Sequence, residues 1–331
     1  MKFSELSRLE VMNALGDVVN GISDKYLKPV EEYWQPADLL PDSSMENFFD
    51  EVKMLQERAK LLSYDVLAVL IGDTVTEEAL PTYETWLYNI EGISPRDTPN
   101  DLLNPWSRWI RAWTGEENRH GDVLNKYLYL SGRVNMKAFE ISTQHLITDG
   151  FDIGTGNDPY KNFIYTSFQE LATQVSHRRV ATLAKKEGET QLARICALIA
   201  ADEGRHATAY AHFVEKIYET DPSQMMLAFE YMMRQKIVMP AHFLREMGMK
   251  AGELWGHFTD AAQRIEVYTT HDYIDILDGL LKRWKVNEIS GLTFEAEKAQ
   301  EYLLKLPDRL TRIADRMKVP EQQYKFSWIL A

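Results

Sequence analysis

Glu116-Glu117-Asn118-Arg119-His120 and Asp202-Glu203-Gly204-Arg205-His206 decide how this chain reads. Each runs acid, Glu, any residue, Arg, His, so each holds a Glu and a His three residues apart. On a helix that spacing sets both side chains on one face, one turn apart. A carboxylate and an imidazole so placed grip one side of a metal ion. Two such helices face to face, plus one Glu from each of two further helices, make the ligand set of carboxylate-bridged two-metal bundles. Glu77 and Glu170 are the candidates for the lone carboxylates.

The spacing of helix signals supports that arrangement. An apolar stretch from Ser63 or Asp65 to Glu91 is closed by Gly92, and Pro81 predicts a kink just after Glu77. After a Pro/Asp/Asn loop at 93–104, Pro105 opens a long helix that ends at Ser131-Gly132. Two more long helices follow, 160–187 stopped by Gly188 and 189–219 stopped by Asp221-Pro222. Glu77 and Glu117 each lie roughly 20 Å from the loop joining their helices, at about 1.5 Å per residue. Glu170 and Glu203 match in the same way about Gly188. The stretch between His120 and Glu170 holds one extra helix, 135–149, long enough for a crossover between two helix hairpins. The expected fold is all-α: a ferritin-like four-helix bundle with additional packed helices. It reads as one unit over 1–331, with the core bundle at about 63–219, N-terminal helices and loop at 1–62 and C-terminal helices at 222–331. Within the N-terminal part, 5–24 reads as one amphipathic helix and 25–42 as a loop. Ser43 or Ser44 with Glu46 is expected to cap a helix through Leu62. Later breaks are expected near Pro240, Gly256 and Gly291. The apolar tail Phe326-Ser327-Trp328-Ile329-Leu330 is expected to dock.

Motif counting alone is weak. With eight His and many Glu, two Glu-x-x-His matches are within reach of chance, and the bland reading is two solvated helix faces. Three features weigh against it. The flanks match, an acid before each Glu and an Arg before each His. Apolar residues precede both motifs: Trp106, Trp109, Ile110 and Trp113 before one, Leu192, Ile195, Leu198 and Ile199 before the other. The lone carboxylates fall at the right depth. Buried carboxylates must be paired or bind metal. Four of them balance two divalent cations, and oxygen with imidazole donors suits iron or manganese. Asp202 and Glu116 are the natural groups to orient the ligand imidazoles, the competing role being ion pairs with Arg119 and Arg205.

Composition sets the outer bounds. The chain has 331 residues, 45% hydrophobic and 26% charged, enough for a sizeable core. A net charge of −13 argues against non-specific binding to nucleic acid or anionic membrane. A single cysteine, Cys196, excludes an internal disulfide and a multi-Cys zinc site, and its apolar setting reads as a core thiol. No apolar run approaches the roughly 18 residues of a membrane span. Met1-Lys2-Phe3-Ser4-Glu5 lacks the pattern of a signal peptide, so the expected compartment is a bacterial cytoplasm, with plastid stroma as the second reading.

Longer runs extend the pattern. They include Leu27-Lys28-Pro29-Val30-Glu31 with Trp34-Gln35-Pro36, and Thr76-Glu77-Glu78-Ala79-Leu80-Pro81-Thr82-Tyr83. They also include Arg111-Ala112-Trp113-Thr114 before the first motif, Phe163-Ile164-Tyr165-Thr166-Ser167-Phe168-Gln169-Glu170, and Met239-Pro240-Ala241-His242. In these the chain resembles the soluble acyl-acyl-carrier-protein desaturases, the plastid stearoyl type and its bacterial relatives, over nearly its whole length. The resemblance implies a homodimer with two Fe ions per chain, bound by Glu77, Glu117, His120, Glu170, Glu203 and His206. It implies a cis double bond placed in an acyl chain held on acyl carrier protein, using dioxygen and electrons from a ferredoxin. By the same resemblance Thr173 sits beside the dioxygen position, and Trp34, Asp202 and His120 form an electron path. Trp86, Asn89, Ile90, Ile153 and Asn162 would line the acyl channel. Trp86, Ile153 and Asn162 are bulkier than their counterparts in the stearoyl type, so a shorter or reshaped channel is expected. Lys28, Arg178, Arg179, Arg234 and Lys236 are candidate docking cations for acidic partners. Glu32 departs from the basic residue of plant members.

Three competing readings are set against this one. A ribonucleotide reductase small subunit needs a radical Tyr about one turn after the first motif His, where this chain has Leu124, with Tyr127 a further turn on. A non-catalytic, iron-storing bundle needs only the fold. A hydroxylase or N-oxygenase of the same fold would act on another substrate.

Overall fold

Apolar residues of the long helices change partners halfway along, and that change sets the topology. The computed structural model describes residues 7–93 and 104–330. In chain order the helices are α1 (Arg8–Ala14), α2 (Gly16–Tyr26), α3 (Phe48–Ala59), α4 (Tyr64–Glu78), α5 (Leu80–Leu87), α6 (Pro105–Ser131) and α7 (Met136–Asp149). They continue with α8 (Pro159–Lys186), α9 (Thr190–Thr220), α10 (Pro222–Gln235), α11 (Trp255–Arg264), α12 (Thr270–Arg283), α13 (Phe294–Leu304) and α14 (Leu306–Ala314). Among the described residues no β-strand forms; one isolated antiparallel bridge joins Val134 and Ile329.

Two apolar clusters fill the interior. One holds Trp106, Trp109 and Ile110 of α6, Phe163 and Phe168 of α8, and Tyr210 and Phe213 of α9. The other holds Val66–Ile71 of α4, Leu124 and Tyr127 of α6, Val180 of α8, and Ile195 and Ile199 of α9. So α6 and α8 run from the first cluster to the second. Helix α9 runs the other way, and so does α4, whose continuation α5 enters the first cluster at Leu80 and Leu87. The pairs α4/α6 and α8/α9 are antiparallel hairpins, and the parallel step from α6 to α8 is made by the crossover through α7. Both Glu-x-x-His motifs fall in the belt between the clusters.

Local chemistry starts and stops the bundle helices where the belt needs them. Asn104 caps α6 by accepting the Trp106 N–H at 2.9 Å, with Pro105 in the first turn. Asp158 caps α8 by accepting from Tyr160 and Lys161, again with a Pro next. Gly188, at φ +94°, makes the tight turn into α9. Gly121, directly after His120, allows α6 to approach α4: a Cβ there would stand 3.1 Å from the Glu77 carbonyl carbon and from the Glu78 nitrogen.

Several boundaries differ from expectation. The interruption expected just after Glu77 falls at Ala79, which leaves helical geometry at ψ 14°, and it is a full break: Leu80-Pro81 opens a separate α5 that ends at Leu87 rather than Glu91. A proline tolerated in a first turn costs less as a restart than as an interior kink. The first helix is likewise divided, at Leu15 before Gly16. Ser43 and Ser44 lie in a turn closed by Asp42, and α3 begins only at Phe48. Gly256 falls within α11 rather than at a break. Most of the anticipated 93–104 loop lies outside the described residues. The tail docks as expected: Phe326 and Trp328 are buried, the Trp328 indole N–H donates to Ser142 at 2.8 Å, and the Asn135 N–H donates to the Trp328 carbonyl at 2.7 Å.

Candidate metal centre

Six side chains from four helices meet in the belt. They are Glu77 from α4, Glu117 and His120 from α6, Glu170 from α8, and Glu203 and His206 from α9. They form two overlapping sets: Glu77, Glu117, His120 and Glu203, and Glu117, Glu170, Glu203 and His206. Within each set the donor atoms lie within 4.8 Å of one another. Glu117 and Glu203 belong to both, which is the place of bridging carboxylates. Both imidazoles turn Nδ1 inward. His120 Nδ1 lies 3.2 Å from Glu117 and 3.3 Å from Glu203; His206 Nδ1 lies 2.6 Å from Glu117 and 3.6 Å from Glu170.

This donor set fits metal ions by an independent criterion. His120 Nδ1, His206 Nδ1 and Glu117 Oε1 are buried without a hydrogen-bond partner. Unpaired buried polar atoms are costly, and here they point at one another. A pair of cations between them would satisfy each.

The outward nitrogens face the motif flanks crosswise, His206 Nε2 in a hydrogen bond with Glu116 and His120 Nε2 near Asp202 but without a hydrogen-bond partner. Asp202, beside Glu203, stands 3.5 Å from His120 Nε2; Glu116, beside Glu117, stands 3.0 Å from His206 Nε2. The two arginines complete a lattice around these acids. Arg205 donates to Glu116 at 2.5 Å and to Asp202 at 2.6 Å, and Arg119 donates to Asp202 at 3.0 Å. Glu116 therefore orients the His206 imidazole and pairs with Arg205 at once, while Asp202 pairs with both arginines beside His120. The same lattice clamps the loop after α2. The Lys28 N–H donates to Glu116 at 2.9 Å, Arg205 donates to the Tyr26 carbonyl, and Arg119 donates to the Trp34 carbonyl at 2.8 Å. The Trp34 indole N–H donates to Asp202 at 2.9 Å and its ring stacks on His120, 6.0 Å between centroids and 11° between planes.

Burial and charge oppose each other at these groups. Burial pushes the Glu77 carboxyl up to about 6, eased by its hydrogen bond to His177. Burial and the neighbouring Glu203 hold Glu170 well above the usual range. Burial also acts on Glu117, but His120 and His206 outweigh it and hold that carboxyl low. At Glu116 the bonds from His206 and Arg205 overcome burial and bring the carboxyl down to about 2. Glu117 in turn holds both imidazoles well above their ordinary value despite burial.

A cavity of about 60 Å³ borders the cluster, walled by Glu77, Glu117, Glu170 and Glu203 on one side and by Leu80, Tyr83, Trp86, Phe151 and Tyr165 on the other. A second, of about 80 Å³, is lined by Asp73, Ser176, Met239, Trp255 and Phe258; both touch Thr76, Gln169, Thr173 and Pro240. Thr173 thus borders both cavities, with its hydroxyl donating to the Glu170 carbonyl at 3.1 Å. Of the five expected channel residues only Trp86 lines the first cavity, packed edge-on against Phe151 and Tyr165 at 5.9 and 5.8 Å. Asn162 is buried in a local network, accepting from Thr155 and donating to the Asp158 carbonyl. Ile90 is core, Ile153 packs against that core, and exposed Asn89 donates to the Thr85 carbonyl. Three docking candidates are already engaged within the chain: Lys28 with Asp202 at 3.8 Å, Arg179 with Asp272, and Arg234 with Glu230. The sequence reading missed His177, whose Nε2 lies 2.9 Å from Glu77 Oε1. Its signal was available: it follows Glu170 by two helical turns on the same face.

Comparisons with known proteins show the family. A family model described as fatty acid desaturase matches residues 7–330. The chloroplastic stearoyl-[acyl-carrier-protein] 9-desaturase of Gossypium hirsutum is 49% identical over 326 residues, covering 97% of this chain and 81% of that protein. Stearoyl-[acyl-carrier-protein] 9-desaturase 1 of Arabidopsis thaliana is also 49% identical, over 97% of this chain and 82% of its own length. Among solved structures, that of DesA2 from Mycobacterium tuberculosis, a candidate acyl-ACP desaturase, matches with a TM-score of 0.54 over 84% of this chain and 96% of its own, at 19% identity, and so shares the fold. The chain belongs to the fatty acid desaturase family.

Proposed function

We propose that this chain is an acyl-[acyl-carrier-protein] desaturase that places a cis double bond in a carrier-bound acyl chain. The observation that carries the proposal is a pair of buried carboxylate–imidazole sets sharing Glu117 and Glu203 on the wall of an aromatic-lined cavity. Glu77, Glu117, His120, Glu170, Glu203 and His206 would hold two iron ions. Bound there, the iron pair supplies reduction of dioxygen and the oxidising power to take two hydrogens from adjacent methylenes, chemistry beyond any acid–base side chain. The balance is one dioxygen, two electrons, two protons and the two substrate hydrogens in, and two waters out.

The chain's own residues do the rest. Apolar walls from Met239, Trp255 and Phe258 in the second cavity and Leu80 and Leu87 in the first bind the acyl chain and exclude water. Thr173, between the two cavities' linings and beside Glu170, sets which methylenes face the carboxylates. With Trp86, Phe151 and Tyr165 on the wall of the first cavity, we assign this enzyme a chain with fewer carbons beyond the reacting pair than the stearoyl type takes. Trp34, half-buried and joined to both Asp202 and His120, is the route by which an acidic ferredoxin-type donor delivers electrons. The active species is read as a homodimer.

The test is product analysis with carrier-bound chains of fourteen to eighteen carbons under ferredoxin reduction. Mono-unsaturated product shifted from the stearoyl pattern is expected. Hydroxylated product would refute desaturation, and a clean preference for stearoyl cut at the ninth carbon would refute the shorter chain.

A further inference from the structure

The two halves of the metal centre follow one pattern except at a single place. Each half has a lone carboxylate from one helix and an imidazole from the next, backed by an acid from across the bundle. Glu77, however, has a partner outside the cluster. His177 Nε2 lies 2.9 Å from Glu77 Oε1, and the imidazole is 2% exposed. Glu77 Oε2 is left facing His120 Nδ1, at 3.8 Å. One oxygen is engaged by His177, and the other is aimed at the cation position. Among the described residues nothing outside the cluster donates to the Glu170 carboxylate.

Helix continuity explains the difference. Helix α8 runs unbroken from Pro159 to Lys186, so it carries His177 two turns beyond Glu170, roughly 10 Å along the axis, back to Glu77 on α4. The matching position seven residues beyond Glu77 is Glu84. Helix α4 ends at Glu78, and the restart at Leu80-Pro81 takes Glu84 onto α5. Thus α4 cannot return the contact. Its broken end instead leaves Leu80, Tyr83 and the first cavity beside Glu170.

We propose that His177 is a positioning residue that locks Glu77 and makes the two cation sites unequal. The Glu77/His120 site is preorganised and fills first; the Glu170/His206 site depends on a carboxylate free to turn. Removing an outer partner of a metal ligand typically weakens binding about 10- to 100-fold. The inference rests on the two-cation reading of the cluster.

Cobalt(II) titration of the unloaded full chain, followed by its visible absorption and by calorimetry, tests this. The wild type is expected to bind in two resolved steps. Glu170→Gln should remove the weaker step and leave the tighter one, assigning each. His177→Leu should weaken the tighter step about 10- to 100-fold and leave the other in place, while His177→Gln, which keeps a donor at nearly the same reach, should restore it. If His177→Leu does not keep the near-ultraviolet dichroism of the unloaded wild type, His177→Asn replaces it: too short to reach Glu77, it should behave unlike His177→Gln. Two indistinguishable wild-type steps, equal loss at both, or identical behaviour of the Gln and Asn variants would overturn the role of His177. No cobalt bound by the wild type would instead overturn the metal centre itself.

Discussion

Replacing Trp86 by Leu should lengthen the acyl chain this enzyme accepts. Trp86 is half-buried, lines the cavity beside the carboxylates, and meets Phe151 and Tyr165 edge-on, with interplanar angles of 90° and 88°. Losing two such ring pairs, each worth about 0.5–1.5 kcal/mol, costs roughly 1–3 kcal/mol. Against a typical folding stability of about 5–15 kcal/mol the variant stays folded. The vacated space adjoins the first cavity, where, on the proposed channel, a longer chain would place its terminal methylenes. Each methylene moved from water into apolar surroundings is worth about 0.8 kcal/mol, about fourfold in relative kcat/KM. The assay is competition between carrier-bound chains that differ by one methylene, with products resolved by mass spectrometry. The ratio should move toward the longer chain by about that factor for each methylene admitted. An unchanged ratio in a folded variant would refute the placement of the channel end at Trp86.

Two further outcomes follow from burial and charge. Trp328→Ala removes a fully buried indole that also donates to Ser142, and should lower unfolding stability by about 3–5 kcal/mol in denaturant titration; a loss below about 1 kcal/mol would mean that the tail does not dock. Cation binding should release protons and strengthen as pH rises. Glu77, raised to about 6, Glu170, raised well above the usual range, and both raised imidazoles favour their protonated forms in the unloaded fold, and a cation must displace those protons. Calorimetry in two buffers of different ionisation enthalpy reads the release directly, and affinity that falls between about pH 5 and pH 7 would contradict the sign.

The convergence of six carboxylates and imidazoles in one belt was legible because helix spacing is rigid: a Glu and a His three apart must share a face, and depth can be counted from a proline or a glycine. The crossed support of each imidazole was legible only as a set of candidates, since sequence cannot say which helix an acid will face. The interruption at Ala79 was legible from Pro81, but its form was not, because a proline reads alike as an interior defect and as a first-turn residue. His177 escaped notice because it lies in no motif, and its partner Glu77 is a hundred residues away in sequence. The channel residues transferred least well. Asn162 carries a polar amide that Thr155 and the Asp158 carbonyl satisfy locally, and Ile90 is taken up by core packing, so family position alone did not place them on a cavity wall.

X-ray absorption of the iron-loaded chain tests the central claim most directly. Sharing of Glu117 and Glu203 predicts two iron per chain, with an iron–iron scattering path at about 3.5–4 Å, lost together with both irons in Glu203→Ala. A single iron per chain, or two with no metal–metal path, would contradict it.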